Sequence, residues 1–426
     1  MKYPVKTLAA LALVGAVAPA FAVSIKDDQM SLAIKGVVQV RANLLNDGSD
    51  ATGGDWDPLR GQAGSAETAR FDVRRARLGV EAKMGDWKAV LTMRAEKNDT
   101  ASNAGGNEAL TPAAGGGNRT VQLYYANITR SFKLDDGVVL AVRGGLDKAY
   151  NAESSISSSN FLFPSDTVVD ERIEQRNVGV GAILTSPFVN AGFDIQNNST
   201  GVKDPQAQSA AGATKTNGLF YSFRIEASPM AEWMPAKKMQ SFVGKEGTHL
   251  VVGVDFQTDG DNLTNETPAV ATTFVVTKTM AYGPDVLFHW NGLTAYAEYR
   301  WDKITANTVT DATSASVAAP DVKGKFFNIQ AAYAMPVSEI VIEPAIRYSK
   351  VDSNTNATNN STYGGGGTGT VGNNIDNGGD GRTIDIGVNL YFDGHSNKLS
   401  IAYQNWKAEG GSGDASIIRI QEQISF

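Results

Sequence analysis

The 426-residue chain has no cysteine, which excludes a disulfide framework and a thiolate metal centre. Histidine is nearly as scarce. His249, His289 and His395 are the only three, and none has the His-x-x-x-His spacing of a helical zinc site. No Gly-x-Ser-x-Gly elbow marks a nucleophile, so nothing couples a serine to one of these histidines as a hydrolase requires. The Gly-Val-Gly at residues 179–181 opens no helical pattern and does not read as a nucleotide loop. No dedicated calcium loop is present either. The expectation is no catalytic residue, no metal ligand and no cofactor. Basic charge is also short, 38 Lys and Arg against 45 Asp and Glu, which argues against a nucleic-acid partner.

Long apolar runs are missing too. Beyond residue 22 nothing approaches 18 consecutive apolar residues, so membrane-spanning helices are excluded. The one short apolar run, residues 8–18, follows Lys2 and Lys6 and precedes Ala20-Phe21-Ala22. A basic start, a short apolar core and a small-x-small end define an export signal, expected over residues 1–22, with 23–426 as a single domain. A retained anchor is the alternative, although the run is about half the length a bilayer needs. Removing the segment leaves 36 basic and 45 acidic residues, a net charge of −9. A chain of this kind crosses a membrane only as a closed barrel, the one other way to pair every backbone N–H and C=O.

What is present is period-2 alternation. From Leu32 to Leu44, Leu32, Ile34, Val38, Val40, Ala42 and Leu44 share one face and Lys35, Gln39, Arg41 and Asn43 the other. About 13 residues at roughly 3.3 Å each, tilted by about 45°, reach some 30 Å along a barrel axis. The pattern returns at residues 87–95, 293–301, 384–392 and 399–403. Sixteen strands are expected, near 31–45, 70–83, 87–97, 119–132, 138–147, 177–185, 188–197, 218–227, 249–257, 271–290, 293–304, 325–334, 339–350, 382–392, 397–406 and 415–426. Pro284 raises the prospect that part of 271–290 is loop.

Connector lengths alternate. Residues 84–86, 134–137, 186–187, 291–292, 336–338 and 393–397 are short; 46–68, 98–118, 148–176, 197–217, 305–323 and 351–381 are long and rich in Gly, Asn, Ser, Thr and Asp. Only 228–248 is long where a short turn is due. Tight turns at one rim and long loops at the other characterise outer-membrane barrels. A soluble β-sandwich has no reason to segregate its connectors this way. The fold class expected is therefore all-β: a transmembrane antiparallel β-barrel of 16 strands with short periplasmic turns and long extracellular loops. Trp87, Tyr299, Trp301, Tyr348 and Phe426 lie towards strand ends, as membrane-interface girdles do, although ordinary strand propensity also places aromatics there.

Several segments resemble the phosphate-selective porin O and P family. They are Arg74-Arg75-Ala76-Arg77-Leu78-Gly79-Val80-Glu81, Gly144-Gly145-Leu146-Asp147-Lys148, Gly292-Leu293-Thr294-Ala295-Tyr296-Ala297-Glu298-Tyr299, Glu343-Pro344-Ala345-Ile346-Arg347-Tyr348-Ser349, Ile386-Gly387-Val388-Asn389-Leu390-Tyr391-Phe392 and the ending Arg419-Ile420-Gln421-Glu422-Gln423-Ile424-Ser425-Phe426. They fall in matching order across nearly the whole chain. The resemblance implies a sixteen-stranded trimeric porin of the bacterial outer membrane, with a third loop, residues 148–176, folded into the lumen. It also implies that a terminal phenylalanine such as Phe426 is recognised by the barrel assembly machinery. The solute is not implied, because the family's basic ladders do not match residue by residue.

Strand parity assigns the residues that would line such a lumen. The basic ones are Lys35, Arg41, Arg75, Arg77, Lys88 and Arg94 on the first three strands, then Arg143, Arg224, Arg300, Arg347 and Arg419. The acidic ones are Glu226, Asp285, Glu298, Asp302, Glu343 and Asp385, with Glu81, Glu96, Asp194 and Asp255. The basic six would form one wall segment facing an acidic wall, a transverse field that biases which ions enter. Taken singly, each lumen charge also reads as mere solvation of a polar interior. Arg74, of opposite parity, is expected outside, and Glu422 falls on the apolar face, through a register slip or at an interface.

The reading that follows is a water-filled channel in outer-membrane lipid for passive diffusion of small hydrophilic solutes and ions, anions such as phosphate among them. The alternative is a surface-structural or adhesive barrel binding partners through its long loops, which large inward apolar residues or a plugging segment would favour. An energy-coupled transporter needs a folded plug, and only about eight residues separate the expected cleavage site from the first strand.

Overall fold

The computed structural model describes residues 23–26, 30–47, 55–57, 62–64, 69–95, 121–151, 161–164, 176–197, 219–229, 247–259, 275–307, 309–310, 316–317, 322–352, 381–408 and 414–426. The expected export signal, Glu96 and most of the long connectors lie outside the described residues.

The alternation of the sequence becomes sixteen barrel strands. They are β1 (Met30–Asp47), β2 (Ala69–Met84), β3 (Trp87–Arg94), β4 (Gln122–Asp135), β5 (Val138–Lys148), β6 (Arg176–Thr185), β7 (Val189–Asn197), β8 (Leu219–Ala227), β9 (Thr248–Asp259), β10 (Val275–Trp290), β11 (Leu293–Asn307), β12 (Val322–Tyr333), β13 (Ile340–Asp352), β14 (Gly381–Asp393), β15 (Asn397–Ala408) and β16 (Asp414–Ser425). Each pairs antiparallel with the next, and β1 pairs with β16 from Val37↔Ser425 to Asp47↔Ala415, which closes the barrel. At the seam Phe426 and Gly36 exchange backbone hydrogen bonds of 2.8 and 3.0 Å. The Phe426 ring fills the space a side chain at Gly36 would need. The short strand Val23–Lys26 extends the same ladder along β1, and Met335–Val337 extends β12 against β13.

Asn291-Gly292 turns β10 into β11 with φ of 43° and 89°. That is the left-handed pair a two-residue hairpin needs, because its twist matches that of the flanking strands. The connector between β9 and β10, residues 260–274, belongs with the long ones.

Pro284 does not end its strand. It sits inside β10, and the ladder to β9 runs through it as Val254↔Pro284. The cost appears on the other side, where pairing with β11 skips from Tyr282↔Trp301 to Asp285↔Glu298. Proline brings no N–H to the ladder. The Arg300 guanidinium donates instead to the Gly283 carbonyl at 3.2 Å, so that acceptor is satisfied. A second irregularity lies between β1 and β2, where Gln39↔Arg75 is followed by Val40↔Val73, leaving Arg74 as the extra residue of a bulge. Glu422 faces Val40 and Leu399 on the outer side with the register of β16 unbroken, so no slip explains it.

The faces are inverted relative to a water-soluble barrel. In β8, Tyr221, Phe223 and Ile225 are exposed while Ser222, Arg224 and Glu226 are buried. The same holds around the wall, with Leu91, Ile128, Val180, Val254, Ile346, Ile384 and Ile418 outside. A surface this apolar is stable against hydrocarbon, so the barrel is a membrane-spanning one. Outward aromatic rings form a row across β10–β13: Tyr282 stacks on Trp301 at 5.3 Å, Trp301 touches Tyr299 at 4.4 Å, and Phe327 bridges Tyr299 and Tyr348 at 6.4 and 6.3 Å. Amphipathic rings in such a row suit the headgroup level. The expected girdle therefore includes Tyr282 and Phe327 besides Tyr299, Trp301 and Tyr348.

Candidate functional site

The lumen is built from the polar face of the alternating strands, and the expected basic wall falls into two groups. Near the short-turn rim, Lys35, Lys83 and Lys88 gather on one carboxylate, Glu81, at 2.8, 3.1 and 3.7 Å. Further up the strands are the arginines. Arg77 and Arg94 are direct cross-strand partners, and both guanidiniums lie over the ring of Tyr124, at 4.0 and 5.2 Å from its centre. Guanidinium–ring stacking lets two like charges share one site because each is held by the ring's negative face. Arg75 donates to Gln39 at 3.4 Å and lies 5.7 Å from the ring of Phe161. Arg41 is also on this wall and fully buried.

The expected acidic wall is largely bridged in place. Arg224 donates to both carboxylate oxygens of Asp285 at 2.6 and 2.9 Å and to Glu226 at 3.2 Å, with Asp255 at 3.7 Å. Arg300 pairs with Asp255 at 2.7 Å, and Arg347 with Asp385 at 2.9 Å. Arg143 holds Asp194 at 2.7 Å and Asp147 at 3.0 Å. Glu298 accepts from the Tyr296 hydroxyl at 2.9 Å; Glu343 accepts from Asn389 at 3.0 Å and Tyr391 at 2.5 Å. Asp302 lies half-buried on the same face. Strand parity thus brings both expected sets to the lumen, but β5–β14 present salt-bridged and hydrogen-bonded carboxylates rather than a free acidic field.

The described residues of the connector after β5, 149–151 and 161–164, lie against the inner face of the barrel. Tyr150 donates its backbone N–H to Asp194 at 2.5 Å, and its ring occupies the space above Gly192 that any side chain there would fill. Phe161, Leu162 and Phe163 are all buried inside the barrel. Phe161 packs on Val251, Leu287 and Tyr296; Leu162 and Phe163 pack on Ala332, Ala345 and Ala402. Lys398 donates to the Phe161 carbonyl at 2.7 Å, Asn389 to the Leu162 carbonyl at 2.9 Å, and Arg347 lies 4.7 Å from the Phe163 ring. The segment is therefore docked by apolar contact on two sides and by its own carbonyls on a third. Among the described residues no group of three or more His, Asp or Glu side chains is placed to hold a metal ion.

No family model matches the chain, and no curated protein matches it. Solved structures do. A loop-deletion mutant of OmpT from Vibrio cholerae aligns over 94% of this chain and 100% of its own, at 8% identity and a TM-score of 0.52. Salmonella typhi OmpF in complex with daunomycin aligns over 94% and 100%, at 13% and 0.51. The outer-membrane channel DcaP of Acinetobacter baumannii aligns over 94% and 99%, at 13% and 0.50. The chain has the fold of outer-membrane porins. At these identities the likeness carries the architecture, and the lining of this barrel rests on its own residues.

Several lumen residues escaped the sequence reading. Lys398 alternates with Leu399, Ile401 and Tyr403, so parity alone would have turned it inward. Tyr124 is the extra residue where β4 shifts register against β3, between Thr92↔Tyr125 and Met93↔Leu123, a displacement that alternation does not reveal. Val251, Leu287 and Tyr296 had a legible signal: apolar side chains on the polar face of three successive strands need a cover, and the third loop supplies it.

Proposed function

We propose that the chain is an exported porin that lets small hydrophilic solutes and ions diffuse passively across the bacterial outer membrane, with a preference for anions, phosphate among them. The observation that carries this reading is a closed barrel with an apolar exterior around a lumen lined by charged and hydrogen-bonding side chains. The anion preference is supported by the cluster of Arg75, Arg77 and Arg94 with Lys35 and Lys88, opposite a wall whose Asp285 and Asp385 are bridged by arginines of that wall. The same proposal includes membership of the phosphate-selective porin O and P family, removal of residues 1–22, a homotrimeric assembly, recognition of Phe426 by the barrel assembly machinery, and no enzymatic activity.

Planar-bilayer recording of the purified protein tests the channel: discrete conductance steps are expected, and their absence sinks the reading. Reversal potentials in a salt gradient test the selectivity. Arg75→Ala with Arg77→Ala is expected to lower the anion-to-cation permeability ratio about fivefold, since unit charges about 4 Å apart interact by ~1 kcal/mol even in bulk water. A ratio unchanged by the pair dismisses the basic wall. A second reading, a surface-structural or adhesive barrel, draws on the docked segment Phe161–Phe163 and its inward apolar contacts. That reading requires a folded protein with no conductance, so the same recording separates the two.

A further inference from the structure

The outer face of the barrel is apolar at mid-height, but it changes character at the loop-bearing ends of β10–β15. Lys303 lies two residues beyond Trp301, Lys325 two before Phe327, Lys350 two beyond Tyr348 and Arg382 two before Ile384, all on the outward parity of their strands. Lys323 and Lys407 share that face, and Lys278 continues it onto β10. The register sets several of these side by side. Lys303 is the direct partner of Lys323, Lys350 of Arg382, and Arg382 of Lys407. Asp352, partner of Lys325, is the one acidic residue among the described side chains of this belt.

Like charges placed directly opposite in a sheet are unfavourable, with strands only about 4.8 Å apart. Here three stand in a row across β13, β14 and β15. Lys407 is also the register partner of Asp414 on β16, and an anionic surface meeting the barrel at that height accounts for the row as a whole. The height is marked by the aromatic row Tyr282, Trp301, Tyr299, Phe327 and Tyr348. Two residues along a strand is about 6.6 Å, so the cations sit just beyond the ring level, where headgroup phosphates lie. The long connectors leave from this end, which faces the outer leaflet. A second copy presenting the same belt would be repelled by it.

We propose that the belt on β10–β15 docks phosphate groups of anionic glycolipids in the outer leaflet and so fixes lipid to this sector of the barrel. A cation at a membrane surface contributes about fivefold in affinity for anionic headgroups, so removing two costs about 30-fold. Arg382 and Lys407 are both exposed and touch neither the lumen nor the third loop. The test measures binding of diphosphoryl lipid A, presented in neutral detergent micelles, to the purified full-length protein. Arg382→Gln with Lys407→Gln is expected to weaken binding about 30-fold, and each single substitution about fivefold. Arg130→Gln with Lys133→Gln, an equal loss of charge near the short-turn rim, is expected to leave binding at the parental value. Lipid A stripped of its phosphates is expected to bind the parent as weakly as the belt variant binds the phosphorylated form. Retained heat-modifiable mobility confirms folding of each variant, and the single substitutions carry the test if the double variant fails to fold. Equal binding by parent and folded belt variants, an equal loss in the rim control, or equal binding of both lipids overturns the proposal.

Discussion

Arg224→Ala is expected to destabilise the barrel by about 3–5 kcal/mol, the cost of removing one partner from a buried ion pair and stranding the other. The expectation rests on where the guanidinium lies. Arg224 is fully buried on β8 and reaches two strands across to Asp285 on β10, holding Glu226 and Asp255 on the way. It can lie flat over β9 because residue 253 is glycine; any side chain there would collide with the guanidinium. Without it Asp285, Glu226 and Asp255 remain as buried carboxylates, with Arg300 still serving Asp255. The measurement is urea unfolding of the detergent-solubilised protein, followed by loss of its compact electrophoretic mobility. Adding Asp285→Asn to Arg224→Ala should restore part of the stability, because it removes one stranded charge. Unfolding of Arg224→Ala at the parental urea concentration would show that lumen water, not arginine, satisfies these carboxylates.

This network also marks the boundary of what the amino-acid order discloses. Alternation is a one-dimensional signal, and it located every barrel strand to within four residues, because turning one apolar face outward is decided within each strand. Parity likewise placed Arg224, Asp255 and Asp285 on the inner face. Their pairing was not legible, because it depends on the register between strands: Arg224↔Asp255 and Gly253↔Asp285 are neighbours only once three strands are aligned. For the same reason parity placed Glu81 among the lumen acids without disclosing that Lys35, Lys83 and Lys88 converge on it from three strands. Where a bulge adds a residue, as at Arg74 and Tyr124, parity itself shifts and the alternation misleads locally. Pro284 shows the opposite error. Its missing N–H raised the prospect that part of 271–290 is loop, whereas the ladder to β9 runs through it and the Arg300 guanidinium from the next strand satisfies the neighbouring Gly283 carbonyl.

Leu162→Lys is expected to release the third-loop segment and raise the single-channel conductance above that of the parent. Leu162 is 1% exposed, packed with Phe163 against Ala332, Ala345 and Ala402, and the cations nearest the segment are Arg347 and Lys398. A lysine there buries an ammonium group beside two like charges, a penalty of several kcal/mol. Because each 1.4 kcal/mol changes a population about tenfold, the docked arrangement becomes a minor one. What the side chain gives up is local: the barrel ladder does not pass through residue 162, so the wall keeps its hydrogen bonds and the protein its folded mobility. Lys398→Met separates this effect from a change of lumen charge. It removes the bond to the Phe161 carbonyl and one positive charge but leaves the apolar contacts, so the conductance rise should be smaller than for Leu162→Lys. A folded Leu162→Lys protein with parental conductance would mean that Phe161–Phe163 does not limit the current, and the narrowest part of the path would then have to be sought among the arginines around Tyr124.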